Sequence, residues 1–494
     1  MGSGRAEVRS AMLHGVEAVP VTVQVSSSEG IPGITVVGSP DSQIREAPTR
    51  VRAALQAAGY EIPRYAMTVN LSPAEVKKSG TGFDLPIAVA VLLASSQVSP
   101  KLAEALYAGE LSLAGDVVPI RGTAAYAKTA GEFGMELVTS AEASVNPGSA
   151  RGLDNISQLK GGLEGLGAPR GCLTPYESGA SAESNDDLDF AEVIDQEIAK
   201  RAMVIAAAGR HGMLMVGPPG AGKTMLAKRF PTILPPLSDE EMEDAVLIHS
   251  VAGQPIDDIV RGRRPFRAPH HSITVSGLVG GGRPVLPGEL SLANKGVLFL
   301  DEIPEFASNV LQSMRQPLEE HVVRLVRAAG IYVFPCDFQL IAAANPCPCG
   351  HLGDPGHPCT CSAAKVTSYQ NKLGGPLMDR IDVVCDVARP SEKRVIRGGA
   401  GMSSLEMRDL VESARSFSHW REQRPTKSPG PGGVCFSEGA TDLFEEYAGR
   451  LKLGGRAIVR ISRVSRTVAD LAEHELVEEQ DVVEALGFRS RSQL

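Results

Sequence analysis

The chain has no uninterrupted apolar run near the about 18 residues that a membrane-spanning helix needs. No membrane span is therefore expected. Its first residues, MGSGRAEVRSAML, lack the continuous apolar segment of a secretion signal. Cysteine is scarce, eight among 494 residues, unlike a secreted disulfide scaffold. Positive charge is not in excess. A formal net charge of −9 excludes a simple polycation, so any DNA contact needs a local basic surface. No internal repeat is visible. These absences leave a cytoplasmic globular protein too long for one core, with two to four domains expected at roughly 100–200 residues each.

What is present changes along the chain. Residues 11–145 alternate strand-like and helix-like segments. VPVTVQVSS, PGITVVG and YAMTVNL are rich in β-branched residues, SQIREAPTRVRAALQAAG has a helical period ending at Gly59, and DLPIAVAVLLAS reads as a buried helix. Residues 161–187 are rich in Gly, Ser, Pro and acid, the composition of a linker. From Phe190 a second α/β unit begins, with a helix in EVIDQEIAKRAMVIAAAG and strands in GVLFLDEI and DFQLIAAAN. Strands alternating with helices imply a parallel sheet that binds ligands at its carboxyl ends. Beyond about residue 403 the pattern is mostly helical.

The strongest motif lies after Met213–Val216. Gly217, Pro218, Pro219, Gly220, Ala221, Gly222, Lys223 and Thr224 satisfy G-x-x-x-x-G-K-[ST], and Met225 continues into a helical pattern. The glycines let backbone N–H groups face phosphate oxygens, Lys223 neutralises β/γ charge, and the Thr224 hydroxyl can ligate Mg²⁺. ATP with Mg²⁺ is the expected cofactor. Asp301 and Glu302 close the apolar run GVLFL, where one carboxylate can hold the Mg²⁺ shell and the next can orient the attacking water. Asn345 ends another strand and can hydrogen-bond the γ-phosphate or the water. Arg380, in LMDRID, and Arg456, in LGGRAIV, are candidate phosphate contacts, and Arg380 can act from a neighbouring subunit.

The order of these motifs resembles an AAA+ ATPase. More narrowly, FRAPHHSITVSGLVGGGRPVLPGELSLANKGVLFLDEIPEF, AAANPCPCG and TVNLSPAEVKKSGTGFDLPIA resemble the magnesium-chelatase-like ComM/YifB family, and the likeness covers nearly the whole chain. The resemblance implies an inactive Lon-protease-like α+β domain (1–160), a linker (161–187), a P-loop AAA+ parallel-sheet α/β core (188–395) and a C-terminal helical lid (396–494). It makes Lys223 and Thr224 Walker A, Asp301 and Glu302 Walker B, Asn345 sensor 1, Arg380 the arginine finger and Arg456 sensor 2. It puts Gly82 where a Lon-type protease has its serine and Ala124 where it has its lysine. Neither residue offers a nucleophile or a base. It also implies a homohexameric ring and a DNA helicase that drives branch migration during recombination of incoming DNA.

Cys347, Cys349, Cys359 and Cys361 form C-P-C-x9-C-T-C, four thiols that can enclose a structural Zn²⁺, with His351 and His357 as possible substitutes. The C-x-C pairs are tighter than the usual C-x2-C ribbon, and four unligated thiols are the alternative. Cys172 and Cys385 carry no spacing signal, and adjacent His270 and His271 project differently. RGRRPFRAPHH (261–271) and RLKLGGRAIVRISRVSR (450–466) are the basic stretches available to DNA. Two rival functions remain: the ATPase subunit of a magnesium-chelatase-type metal insertion complex, and a protein-remodelling ATPase. The second is disfavoured because Phe266 is the only aromatic in 264–296.

Overall fold

The computed structural model describes residues 4–145, 150–171, 188–328, 330–354, 356–372, 377–398, 401–424 and 430–489. Its first unit is built on a seven-stranded mixed sheet. β1 (Arg5–His14) and β2 (Glu17–Ser28) form an antiparallel hairpin; β3 (Gly33–Val37), α1 (Ser42–Ala57) and β4 (Ala66–Ser72) follow. Next come α2 (Asp84–Ala94), β5 (Leu106–Tyr107), α3 (Thr123–Glu132), β6 (Leu137–Ser140) and β7 (Ala150–Leu153), and the sheet order is β3-β4-β2-β1-β5-β6-β7. The period of two is visible in β2: Val21, Val23 and Val25 are buried while Gln24 and Ser26 face solvent. Asp41 caps α1 by accepting from the Ile44 N–H. Helix α2 is apolar on every side because it lies wholly within the core, against α1, β1 and β2.

The expected linker begins too early. Leu166 is buried, the Gly152 N–H donates to the Gly167 carbonyl at 2.8 Å, and the Arg170 guanidinium pairs with Asp154. Residues 161–171 therefore finish the first unit: apolar anchors and backbone pairing outweigh a composition that reads as flexible. Residues 172–187, with Cys172, lie outside the described residues.

The second unit has α4 (Glu197–Gly209), β8 (Met213–Val216), α5 (Lys223–Arg229), α6 (Asp239–Ala252), β9 (Phe266–Arg267) and β10 (Val297–Leu300). It continues with α7 (Arg315–Glu320), the hairpin β11 (Val322–Arg327) and β12 (Gly330–Pro335), β13 (Gln339–Ala344), α8 (Ala363–Lys372) and β14 (Val383–Asp386). The five-stranded sheet runs β9-β10-β13-β8-β14, with all its pairings parallel. Its central strands are unbroken apolar runs because both faces are covered. Helices α9 (Ser404–Glu422), α10 (Glu438–Arg450), α11 (Gly455–Leu471) and α12 (Glu479–Gly487) close the chain. They share one core with the sheet, in which Val464, Val468 and Val482 join Met203, Met215 and Phe299.

The two units are packed together. The Gly122 N–H donates to the Ser250 carbonyl at 2.9 Å, Lys128 pairs with Glu243 at 2.7 Å, and Leu247 of α6 is buried with Ala125 and Tyr126 of α3. His14 contacts the Ile331 carbonyl of the β11–β12 hairpin at 2.9 Å and stacks on Tyr332. Among the described residues no helix is long and apolar enough to cross a membrane.

Candidate functional site

Parallel register builds the nucleotide site. Val216 pairs with Ala344 and Leu300 with Ala342, so Gly217, Asp301 and Asn345 emerge together at the carboxyl ends of adjacent strands. The loop packs so closely that a Cβ on Gly217 would lie 2.1 Å from the Val387 carbonyl oxygen, and Gly222 has φ +90°. Lys223 is buried, and its ammonium donates to the Gly217 carbonyl at 2.6 Å, the Pro218 carbonyl at 3.1 Å and the Asn345 side-chain oxygen at 3.0 Å. Burial pushes the Lys223 pKa down, and the charges of Asp301 and Glu302 oppose that shift.

The Thr224 hydroxyl donates to Asp301 at 2.7 Å. A hydroxyl and a carboxylate side by side are hard oxygen donors of the kind Mg²⁺ takes. Glu302 is half-exposed, and its backbone is left-handed with φ +49°. A non-glycine residue there carries strain of order 1 kcal/mol, which the closed end of β10 and the bond from its N–H to Asp301 sustain.

Three matches cover most of the chain. The family described as "Magnesium chelatase, subunit ChlI" matches residues 189–395. "Subunit ChlI of Mg-chelatase" matches 23–143, and "Magnesium chelatase, subunit ChlI C-terminal" matches 401–489. The chain is 38% identical to "Competence protein ComM" of Haemophilus influenzae, over 97% of this chain and 96% of that protein. It is 37% identical to "Uncharacterized protein YifB" of Escherichia coli, over the same shares. The chain belongs to the ComM/YifB family of magnesium-chelatase-like AAA+ ATPases. A "Magnesium-chelatase 67 kDa subunit" of Chlorobaculum tepidum is more distant, at 25% identity over 32% of this chain and 23% of that protein.

Within this family frame, the structure unites Lys223, Thr224, Asp301, Glu302 and Asn345, while Arg380 pairs elsewhere. Arg380 ends a short turn whose carbonyl lies against Gly212, before β8, whereas the phosphate loop follows β8. Its half-exposed guanidinium pairs with Glu319 of α7. Arg456, expected as a phosphate contact, stands in the first turn of α11, where its charge helps hold Glu319 below the usual carboxylate range after the larger effect of Arg380. Helix α11 packs on α4, α9 and α12, and Arg460 on the same helix is tied to the Met378 carbonyl at 2.7 Å. Met225 is exposed and bends over Gly222.

Some contributors were missed in the sequence. Buried Gln196 bridges the Ala221 carbonyl (3.2 Å) and the Ala388 carbonyl (2.8 Å), clamping the phosphate loop to the strand that ends in Asp386. His271 lies 4.0 Å from Glu302, while His270 turns to Ser272. The quoted HH pair was the only available signal for His271, whereas Gln196 left none.

The four thiols of the loop after Asn345 converge. Cys347 lies 3.4 Å from Cys349 and 3.7 Å from Cys359, Cys349 lies 3.6 Å from Cys359, and all four sulfurs fall within 4.8 Å of one another. Backbone N–H groups of His351 and Thr360 hold the Cys349 thiol down to about 5. His351 and His357 are drawn away to Asp354, at 3.3 and 3.5 Å, beside Arg389. They are not substitutes in the thiol cluster. The loop presses on the nucleotide site, for a Cβ on Gly350 would meet Pro219 Cδ at 2.5 Å.

The basic run 261–271 is largely spent on internal pairs. Arg263 pairs with Asp258, Arg264 with Glu241 and Arg267 with Glu289. In the N-terminal unit, a Cβ on Gly82 would face Ile120 and the Tyr126 hydroxyl, and Ala124 is packed at the α3–α6 contact, its N–H donating to Ser250 Oγ.

Proposed function

We propose that this chain is the subunit of a homohexameric, ATP-driven ring motor that moves along single-stranded or branched DNA, as a helicase or branch-migration factor in recombination of incoming DNA. The observation that carries the motor half is the junction of Lys223, Thr224, Asp301 and Asn345 at three adjacent strand ends. In this reading Gly217–Met225 hold the phosphates, Thr224 and Asp301 hold Mg²⁺, Glu302 orients the attacking water, and Asn345 reports the γ-phosphate. Arg380, paired with Glu319, serves the nucleotide of a neighbouring subunit as the arginine finger, and Arg456 acts as sensor 2.

The DNA half rests on a relative named for competence and on two exposed arginines. Arg283 is in the glycine-rich insertion, and Arg327 of the β11–β12 hairpin reaches to 3.3 Å from a Cβ built on Gly281. The N-terminal unit is a docking domain and not a peptidase, since Gly82 and Ala124 supply neither nucleophile nor base.

The cysteine loop is assigned one structural Zn²⁺. Zn–S bonds of about 2.3 Å in a tetrahedron put sulfurs about 3.8 Å apart, close to the spacings here. Atomic absorption on protein purified under reducing conditions should find one zinc per chain; none would remove the assignment.

Steady-state ATP hydrolysis, alone and with single-stranded, duplex and four-way-junction DNA, tests the motor. Stimulation greatest with branched forms is expected. Hydrolysis indifferent to every DNA would favour the chelatase reading, which the three family matches support, and stimulation by chelatase partner subunits would then be sought.

A further inference from the structure

A second concentration of positive charge lies at the opposite end of β8 from the phosphate loop. There, a cavity of about 690 Å³ opens between α4, α9 and α11. Six arginines line it: Arg210, Arg415, Arg421, Arg424, Arg463 and Arg466. β8 has four residues at about 3.3 Å each, so its floor at Gly209–His211 is roughly 13 Å or more from the nucleotide site.

Four of the six cations are matched by carboxylates. Arg421 and Arg466 share Asp470, Arg424 pairs with Glu475, and Arg210 turns to Asp337 outside the cavity. Two are left over. Arg463 is exposed, and its guanidinium makes no hydrogen bond or ion pair to any described residue. Arg415 gives one bond to the Ala207 carbonyl, its Nε is buried without a partner, and burial lowers its pKa to about 10. A buried cation without a counter-ion is costly, and an incoming anion repays that cost.

Trp420 does not line the cavity and is already packed by neighbours. Trp420, the chain's only tryptophan, is exposed on α9; Arg424 lies 3.8 Å over its ring and Phe417 packs behind it at 5.2 Å. Arginines left without carboxylate partners in a cavity are what a sequence-independent phosphate backbone meets.

We propose that this arginine-lined cavity binds the backbone of a single nucleic-acid strand, Arg463 and Arg415 taking phosphates. The inference rests on the DNA-motor reading and adds a contact on the C-terminal helices, away from the glycine-rich insertion.

The test uses the full chain. Binding of labelled oligothymidine is measured by anisotropy at two salt concentrations, for wild type, Arg463→Glu, Arg463→Gln and Trp420→Ala. Basal ATP hydrolysis and assembly mass are read on the same samples. Arg463→Glu should weaken binding about tenfold or more with a shallower salt dependence, Arg463→Gln less so. Trp420→Ala should leave it within about twofold, because the ring does not line the cavity. Basal hydrolysis should not change, since neither residue touches the phosphate loop. Wild-type affinity in all variants, in a protein that does bind DNA, would overturn this inference alone. Weakening that only follows loss of assembly mass would make the cavity a subunit contact and overturn it too. If the wild type binds no DNA, the motor reading fails first and takes this site with it.

Discussion

Two glycine-bearing loops in this chain each precede a helix, and they have opposite fates. The loop before α5 ends in Lys223 and Thr224, whose polar atoms are held by Gly217, Pro218, Asn345 and Asp301. The loop before α2 ends in Gly82 and Asp84. Asp84 is consumed by a bidentate pair with Arg50 at 2.7 and 2.9 Å, and a Cβ on Gly82 would meet only Ile120 and the Tyr126 hydroxyl among the described residues. The first loop keeps charge unsatisfied by carboxylates at strand ends. The second neutralises its charge and lends its neighbour α3 to an interface. A loop that resembles a catalytic loop is thus no evidence for chemistry until its charges are traced to their partners.

The comparison can be broken in several ways. The largest effect is expected for Lys223→Ala, which should drop ATP hydrolysis to background, a loss beyond about 10³-fold. Retained turnover would dissolve the contrast between the loops. Arg380→Ala should leave ATP binding intact while hydrolysis falls about 10³-fold, and assemblies mixed with Lys223→Ala subunits should recover part of the rate. Failure of such complementation would place the arginine's action within its own chain.

Cys359→Ser should lose zinc and weaken ATP binding in parallel, because the cysteine loop backs Pro219. A zinc-free protein with unchanged ATP affinity would uncouple the two. Ala124→Lys should destabilise by about 1–3 kcal/mol through overpacking at the α3–α6 contact, seen in thermal melts. Paired with Gly82→Ser it should still cleave no casein; any peptidase activity would restore the second loop to catalysis. Lys128→Ala should cost about 0.5 kcal/mol or less, because its partner Glu243 is as exposed as it is.

Much of this was legible in the sequence. β2, β4, α2, β8, β10 and β13 could be read from period and β-branching, and the nucleotide residues from spacing. The hairpin β11–β12 could not be. Val323, Leu325 and Phe334 are buried in alternation, but Val326, Ile331 and Val333 on the exposed face are apolar too, so the period of two is hidden in the sequence. The end of the first unit was misread because glycine and proline mark both linkers and close packing, and only partners such as Gly152 and Ala141 distinguish them.

By itself, the sequence determined which groups exist and their local order: a phosphate loop, acids and an amide at strand ends, and four thiols closely spaced along one segment. These are short-range facts, fixed by backbone geometry within a few residues. Tertiary structure decided which charges remain free. It placed Arg264 and Arg267 in ion pairs, set Arg380 and Arg456 near Glu319, and left Arg463 facing a cavity. Whether an arginine binds a partner or its own chain depends on carboxylates tens to hundreds of residues away, and only the packed fold brings those into range.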